Sequence, residues 1–423
     1  MTRMAPDSEP ARGWPPGGAG QSTRRGRRRR LVVLGATGSV GQSALAVAAR
    51  FPDEIEVIGL TASRQAAALA AQAARFGVRR LALADREMAG QHGLPGGEEE
   101  ILALATGPDV DIVLNAIVGA AGLRASLAVV EAGKTLALAN KESLVIAGEL
   151  LTSAARRTGA VIVPVDSEHN AALQCLTRTA PDEVARLTLT ASGGPFRTRT
   201  RAELRNATLA EVLNHPTWAM GPRITVDSAT LLNKGFEVIE ARWLFGLPLA
   251  QVQVLVHPQS IVHAMLELKD GSLLALMSSP DMRIPIQYAL SHPARWPASW
   301  APLDLARIGT LTFEEPDPER FPCFALALAA AERGGTAPAV LNAADEALVQ
   351  ALIAGRLHFS ELPALLAEIV GEHVPRPATS LEAILAADSA ARDRVAARLG
   401  GSPATFPAAI PSVLPSALPG GSS

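Results

Sequence analysis

Leu31-Val32-Val33-Leu34 runs straight into Gly35-Ala36-Thr37-Gly38-Ser39-Val40-Gly41, and Gln42-Ser43-Ala44-Leu45-Ala46-Val47 follows as a good helix former. An apolar, β-branched run that enters a glycine-rich turn and leaves it as a helix is the opening unit of a nucleotide-binding α/β sheet. The glycines let the backbone turn tightly, and free N–H groups at the helix start can meet a pyrophosphate. The spacing is GxxGxxG rather than GxGxxG, so its position between strand and helix carries more weight than the glycine pattern.

Outward from this turn, residues 31 to 165 alternate short apolar runs with Ala/Leu-rich stretches. Strands are expected at Leu31–Leu34, Glu56–Leu60, Arg80–Ala84, Asp111–Ala116, Thr135–Leu138 and Val161–Pro164. That rhythm predicts parallel β-α-β units, a doubly wound, Rossmann-like domain. The second strand ends in Leu60-Thr61-Ala62-Ser63-Arg64-Gln65. A carboxylate there would bind the ribose hydroxyls of NAD. Its absence, with Arg64 available for a 2'-phosphate, predicts NADPH.

Beyond 165 the texture changes. Residues 166 to 300 mix strand-like segments (Leu187–Thr190, Gln253–Val256) with helices and polar motifs, and are expected to form an α/β catalytic domain. After a linker at 301 to 314, residues 315 to 400 place Ala325, Leu328, Leu348, Leu352 and Leu365 at helical spacings, which predicts a C-terminal helical bundle. Residues 1 to 30, Arg-rich at their end, and 401 to 423, with a proline every fourth residue from Pro403 to Pro419, are expected to be disordered tails. The arginine run 24 to 30 is expected to be a solvated basic cap before the first strand.

Two acidic stretches suggest chemistry. In Val165-Asp166-Ser167-Glu168-His169-Asn170 an extended D-x-E pair would put two carboxylates on one face, with oxygen ligands suited to Mg2+ or Mn2+. The competing reading is a helix N-cap with acids near the dipole. Further on, Asp227-Ser228-Ala229-Thr230 reads as a cap. The helix after it would turn Leu232, Phe236, Ile239 and Trp243 to the core and Asn233, Lys234, Glu237 and Glu240 away from it. A solvated polar face would explain the second set. Against that, Gly235 in mid-helix costs about 1 kcal/mol relative to Ala, which is easier to understand if another group must come close.

Taken with Leu138-Ala139-Asn140-Lys141-Glu142-Ser143, Ser192-Gly193-Gly194-Pro195-Phe196-Arg197, Asn214-His215-Pro216-Thr217-Trp218-Ala219-Met220-Gly221, His257-Pro258-Gln259-Ser260 and Pro280-Asp281-Met282-Arg283, these blocks resemble the 1-deoxy-D-xylulose 5-phosphate reductoisomerases, in family order from about residue 31 to 400. The resemblance implies NADPH- and divalent-cation-dependent rearrangement and reduction of a phosphorylated ketose to 2-C-methyl-D-erythritol 4-phosphate in non-mevalonate isoprenoid synthesis. It implies Asp166, Glu168 and Glu237 as ligands of Mg2+ or Mn2+, with Co2+ a further candidate, and Lys141 as a catalytic partner. Ser192, Ser228, Asn233, Lys234 and His215 would meet the phosphate end, while Lys141, Ser167 and Glu142 would contact the reacting skeleton, with Glu168 and Glu237 also binding substrate. Trp218 would belong to a mobile lid. Thr37, Gly38, Ser39, Val40, Ser63, Arg64, Gln65, Asn140, Glu142, Gly221 and Met282 would contact the cofactor, and His263 would help shape the pocket or be an ordinary half-buried strand histidine. Pro222 and Arg223 depart from the more flexible, Lys-bearing stretch expected after Gly221, which would alter the lid's hinge.

Composition agrees with an enzyme of small molecules. A chain of 423 residues, 48% hydrophobic, can build several cores, and a formal net charge of −2 is unlike a nucleic-acid-binding surface. No apolar run is long enough to span a membrane. Cys175 and Cys323, the two cysteines, lie far apart and predict buried thiols in a reducing, cytoplasmic setting. A homodimer is the assembly the resemblance implies. Two rivals remain open here: a semialdehyde-type dehydrogenase, which would need an activated cysteine, and a cofactor-sensing or RNA-binding protein, which would need no carboxylate cluster.

Overall fold

A computed structural model of the chain describes residues 27–218, 220–297 and 300–401. Most of both expected tails, residues 1–26 and 402–423, and Ala219 of the expected lid lie outside the described residues. Among the described residues there are two sheets. The first joins β1 (Arg29–Leu34), β2 (Ile55–Ala62), β3 (Arg80–Leu83), β4 (Ile112–Asn115), β5 (Thr135–Leu138) and β6 (Val161–Pro164) in the order β3-β2-β1-β4-β5-β6. Every pairing is parallel, in the doubly wound order whose direction reverses between β1 and β4. Strands sandwiched by helices on both faces must be apolar throughout, and Leu31 to Leu34 and Ile112 to Leu114 are buried to 1% exposure or less.

Each strand expected in this sheet is present within two residues. β1 starts at Arg29, whose backbone N–H donates to Glu54 O at 2.8 Å and whose side chain donates to the carbonyls of Leu290 and His292, both at 2.8 Å. The basic cap is therefore not simply solvated, since Arg27, Arg28 and Arg30 also pair with Asp111, Glu56 and Asp109.

The second sheet has the order β10-β9-β7-β8, from β7 (Val184–Ala191), β8 (Val252–Val256), β9 (Val262–Leu268) and β10 (Leu273–Met277). β9 carries His263, which is buried rather than half-buried, with its Nε2 3.0 Å from Ser278 Oγ. At the C-terminus the helices Pro322–Arg333, Ala337–Ile353, Leu362–Gly371 and Leu381–Arg398 pack together. Leu348 and Leu352 are in their core, but Ala325 faces outward. No helix among the described residues is long and apolar enough to cross a membrane.

Helix Leu232–Phe245 packs against helices Lys141–Thr158 and Pro322–Arg333 and against β8. A Cβ built on Gly235 would sit 2.3 Å from Ala327 Cβ, so the group that approaches closely is the neighbouring helix.

Candidate active site

Asp166 is both things the sequence left open. It caps helix Ser167–Leu176, its side chain accepting from the backbone N–H groups of Glu168 and His169, and it also joins a carboxylate cluster. The extended-chain geometry expected for Asp166 and Glu168 is corrected, because Glu168 already lies on the first helical turn. Both face the cluster because the chain turns there. Asp227–Thr230 is corrected likewise. Asp227 and Ser228 end helix Pro222–Ala229, and Leu231, in left-handed backbone at φ 57°, starts the next helix.

The polar face of that next helix is not solvated. Lys234, Glu237 and Glu240 are each 3% exposed or less. Ligand atoms of Asp166, Glu168 and Glu237 lie within 4.8 Å of one another. Two lysines thread between them. Lys141 Nζ donates to Asp166 Oδ2 at 3.1 Å, Glu237 Oε1 at 3.3 Å and Asn233 Oδ1 at 2.6 Å. Lys234 Nζ donates to Glu168 Oε1 at 3.0 Å and to Glu237 Oε2. Three carboxylates converge on one point, and an all-oxygen set of this kind suits a hard divalent cation. The donor set fits the implied metal.

Burial and neighbours shift these groups strongly. Burial opposes the charge on Lys141, but Asp166 and Glu237 outweigh it and hold the pKa well above the usual lysine value. Burial likewise opposes the charge on Asp166, and Lys141 and His169 overcome it, holding that carboxyl well below the usual range. Glu237 is raised, by burial and then by Asp166. Behind the cluster stands a pair the sequence reading passed over. His169 Nδ1 lies 3.2 Å from Asp166 Oδ1 and 3.8 Å from Glu240 Oε2, while its Nε2–H donates to the Glu237 carbonyl at 2.8 Å. His169 tethers one ligand-bearing helix to the other. The i,i+3 spacing from Asp166 was its only sequence signal.

The cluster forms the floor of a 510 Å3 cleft. Ser167, Ser192, His215, Trp218, Ser228, Asn233, Gly221 and Met282 line it too, with Ser39 and Val40. His215 Nδ1 accepts from the N–H groups of Thr217 and Trp218, which leaves Nε2 to donate to Ser192 Oγ at 3.0 Å. Burial lowers the His215 pKa, favouring this neutral form. Asn233 and Lys234 are turned to the carboxylates. Hydroxyl and imidazole groups at the other end complete a set of donors that suits a phosphate.

A second cavity of 570 Å3 adjoins the first, with Ser39, Val40, Ala139, Lys141, Gly221, Ile224 and Asn233 common to both. Gly38 and Glu142 also line it. The glycine turn fits a dinucleotide here. Gly35 has φ 77°, and a Cβ on Gly41 would meet Gly35 O at 2.3 Å, so the turn and the helix must pack tightly. Gly38 faces the cavity, and helix Ser39–Arg50 has no side-chain cap over its first N–H groups. Thr37, Ser63, Arg64 and Gln65 line neither cavity, and Arg64 is exposed and paired with Asp85 at 3.2 Å. Asn140 is buried and caps helix Lys141–Thr158.

Pro222 is the first residue of helix Pro222–Ala229, where a missing N–H costs nothing. Arg223 is fixed among carboxylates. Neither cysteine is an activated nucleophile. Burial raises the pKa of both, which removes the feature a semialdehyde-type dehydrogenase would need.

Comparison with known proteins accords with this geometry. Family models match in chain order: 1-deoxy-D-xylulose 5-phosphate reductoisomerase over residues 31–148, its C-terminal domain over 162–245, and the DXP reductoisomerase C-terminal domain over 277–394. The 1-deoxy-D-xylulose 5-phosphate reductoisomerase of Anaeromyxobacter dehalogenans is 50% identical over 380 residues, covering 88% of this chain and 97% of that protein. The protein of the same name from Moorella thermoacetica is 49% identical over 378 residues, covering 87% and 98%. Among solved structures, the Zymomonas mobilis reductoisomerase in complex with NADPH superimposes with a TM-score of 0.82 at 41% identity, covering 88% of this chain and 99% of that one. A DOX-P reductoisomerase in complex with NADPH, fosmidomycin and magnesium gives 0.81 at 37% identity, covering 88% and 98%. With the doubly wound sheet, the buried carboxylate cluster and the matches in agreement from the first strand to the last helix, the chain belongs to the 1-deoxy-D-xylulose 5-phosphate reductoisomerase family.

Proposed function

We propose that this chain converts 1-deoxy-D-xylulose 5-phosphate to 2-C-methyl-D-erythritol 4-phosphate, using NADPH and a divalent cation, in non-mevalonate isoprenoid synthesis. The observation that carries the reading is the shared wall. Lys141, Ser39, Val40 and Gly221 line both the cleft floored by carboxylates and the cavity beside the glycine turn, so a bound ketose and a bound nicotinamide would meet there.

Asp166, Glu168 and Glu237 would hold the cation. When bound, the cation would supply Lewis acidity toward the hydroxyketone oxygens and the cofactor a hydride. The remaining work falls to side chains of this protein. Lys141 and Ser167 lie against the reacting skeleton, with the Lys141 ammonium held charged by its carboxylate neighbours. Ser192, His215 and Ser228 anchor the phosphate, joined by Asn233 and Lys234 once the carboxylates that those two hold are taken up by the cation. Trp218 covers the cleft and excludes water, which the rearrangement requires. Gly38, Ser39, Val40, Glu142, Gly221 and Met282 border the cofactor, with Thr37, Asn140, Ser63, Arg64 and Gln65 at its periphery. On this reading residues 31–165 carry the cofactor and 166–300 the cation and substrate. Residues 301–314 link them to the helices of 315–400.

A homodimer is supported by β10, an edge strand whose Leu273 and Leu274 are 58% and 41% exposed, a surface that a second copy would cover. Two unbridged cysteines support a cytoplasmic location. The deciding experiment follows NADPH oxidation with 1-deoxy-D-xylulose 5-phosphate, with Mg2+ or Mn2+ and again with chelator, and identifies the product. Metal-dependent formation of methylerythritol phosphate is expected. Absence of oxidation with any metal, despite bound NADPH, would overturn the proposal.

A further inference from the structure

A second set of buried charges, separate from the carboxylate cluster, closes into a ring around the loop that follows β4. Asn140 Nδ2 donates to Ile117 O at 2.7 Å, Gly119 O at 2.8 Å and Glu142 Oε2 at 2.8 Å. Glu142 Oε1 lies 2.9 Å from Arg223 Nη1, which also donates to Glu346. Arg223 Nη2 donates to Asn342 Oδ1 at 2.8 Å. Glu346 then returns to the same loop, its Oε1 accepting from Ala120 N at 2.9 Å. Its other oxygen is held by Arg392, which is itself bound twice by Asp388. Gly119, at φ 77°, is what allows the approach, because a Cβ there would lie 2.4 Å from Glu346 Oε1.

The ring is placed where it matters to a dinucleotide. Ile117, Val118 and Gly119 form one wall of the second cavity, Glu142 and Arg223 another, and Glu346, Val349 and Ile353 of helix Ala337–Ile353 a third. The loop leaves β4 at the reversal of strand order, the crevice in which open α/β sheets bind nucleotides. It projects Val118, 71% exposed, toward that space, and meets regular structure only at Ala120, where a short 3-10 turn begins.

We infer that Arg223 and Glu346 are positioning residues for the cofactor, tying the C-terminal helices to the loop 117–120 and to the Glu142 carboxylate. The inference rests on the assignment of NADPH to this cavity. The planar guanidinium serves Glu142 and Glu346 through Nη1 and Asn342 through Nη2, two nitrogens held in a fixed fork that the single nitrogen of a lysine would not reproduce.

Direct titration of NADPH by fluorescence, on the full chain, tests this in three proteins. Wild type that does not bind NADPH defeats the cofactor assignment itself. With wild type binding, Arg223→Lys is expected to raise the Kd and the KM for NADPH about tenfold, the scale of losing one charge-assisted hydrogen bond. The KM for 1-deoxy-D-xylulose 5-phosphate and kcat at saturating cofactor should move less than about threefold. Hydrogen exchange of the Ala120 amide should quicken in the same variant. Glu346→Gln, which keeps an acceptor for Ala120 N but removes the charge facing Arg223, should fall between the two, and it decides the matter alone if Arg223→Lys does not fold. Unchanged NADPH affinity in a folded variant, even with a lowered melting temperature, would make the ring a matter of stability only and overturn the inference.

Discussion

Glu237→Gln separates the cation site from the rest of the active site, and the structure sets the size of the effect. The Glu237 carboxylate is 1% exposed, with Oε1 facing Asn233 Nδ2 at 2.7 Å and Lys141 at 3.3 Å, and Oε2 bound by Lys234. Glutamine keeps one of those acceptors and turns an NH2 toward donors at the other, so one contact is lost if the NH2 takes the Oε2 side and two if it takes the Oε1 side. The fold should survive, because Lys141 retains Asp166 at 3.1 Å and Lys234 retains Glu168 at 3.0 Å. A cost of about 1–3 kcal/mol is expected for the unsatisfied group. The cation loses more. The cluster falls from three anionic ligands to two against the same two lysines, and changes that merely misorient a ligand already weaken metal binding about 10- to 100-fold, so at least the upper end applies here. Mg2+ titration of the steady-state rate, with calorimetric Mg2+ binding beside it, should show half-saturation displaced by about 100-fold or more. NADPH affinity should stay within about twofold, since Glu237 does not border the cofactor cavity. An unchanged Mg2+ dependence would refute the ligand role. A parallel collapse of NADPH binding would refute the claim that the two halves of the site are separable.

Trp218, which lines the cleft, should on replacement by Ala raise the KM for the ketose phosphate by about tenfold or more through lost apolar cover, with a smaller effect on NADPH affinity. Intact substrate capture would sink the lid assignment. Burial of His263, with help from the charge of Lys234, lowers its pKa from 6.5 to about 4. The unfolded chain therefore binds the extra proton first as pH falls, so stability is whole above about pH 6.5 and is lost toward about pH 4, by roughly 3 kcal/mol from this residue. Urea unfolding of His263→Gln at both ends of that window should show a shallower loss than wild type, and equal slopes would exclude His263 as the cause. Cys323, 1% exposed with its thiol pushed up by burial, should resist alkylation in the native protein, and treatment with iodoacetamide should leave turnover intact. Stoichiometric inactivation would return the cysteine-dependent reading to contention.

Much of the fold could be read directly from the chain because parallel strands buried on both faces are apolar without interruption, and such runs interrupt helical texture clearly. Val161–Pro164 and Thr135–Leu138 were placed to the residue for this reason. The site was legible only in part. Asp166 and Glu168 carry a local signal, but nothing in spacing connects them to Glu237, and the family resemblance alone joined them. Polar residues along one helical stripe look the same whether they meet water or a buried cluster. Lys234, Glu237 and Glu240 show that the difference lies in what the far side of the molecule brings to them. The ring at Arg223 had no local signal at all, since Glu142 and Glu346 stand 81 residues before and 123 after it.

The contact between Gly235 and Ala327 carries a lesson for anyone engineering this enzyme. A glycine within a helix is an obvious target for stabilisation, since replacement by alanine ordinarily gains about 1 kcal/mol. Here the added methyl would have to share space already taken by the Ala327 methyl, and the helix it would displace carries Lys234 and Glu237. Gly235 and Ala327 thus fix how closely these two helices approach, and a larger residue at one calls for a smaller one at the other. Gly90, in helix Arg86–Gln91 with nothing within 4 Å of a built Cβ, is the sounder place to begin.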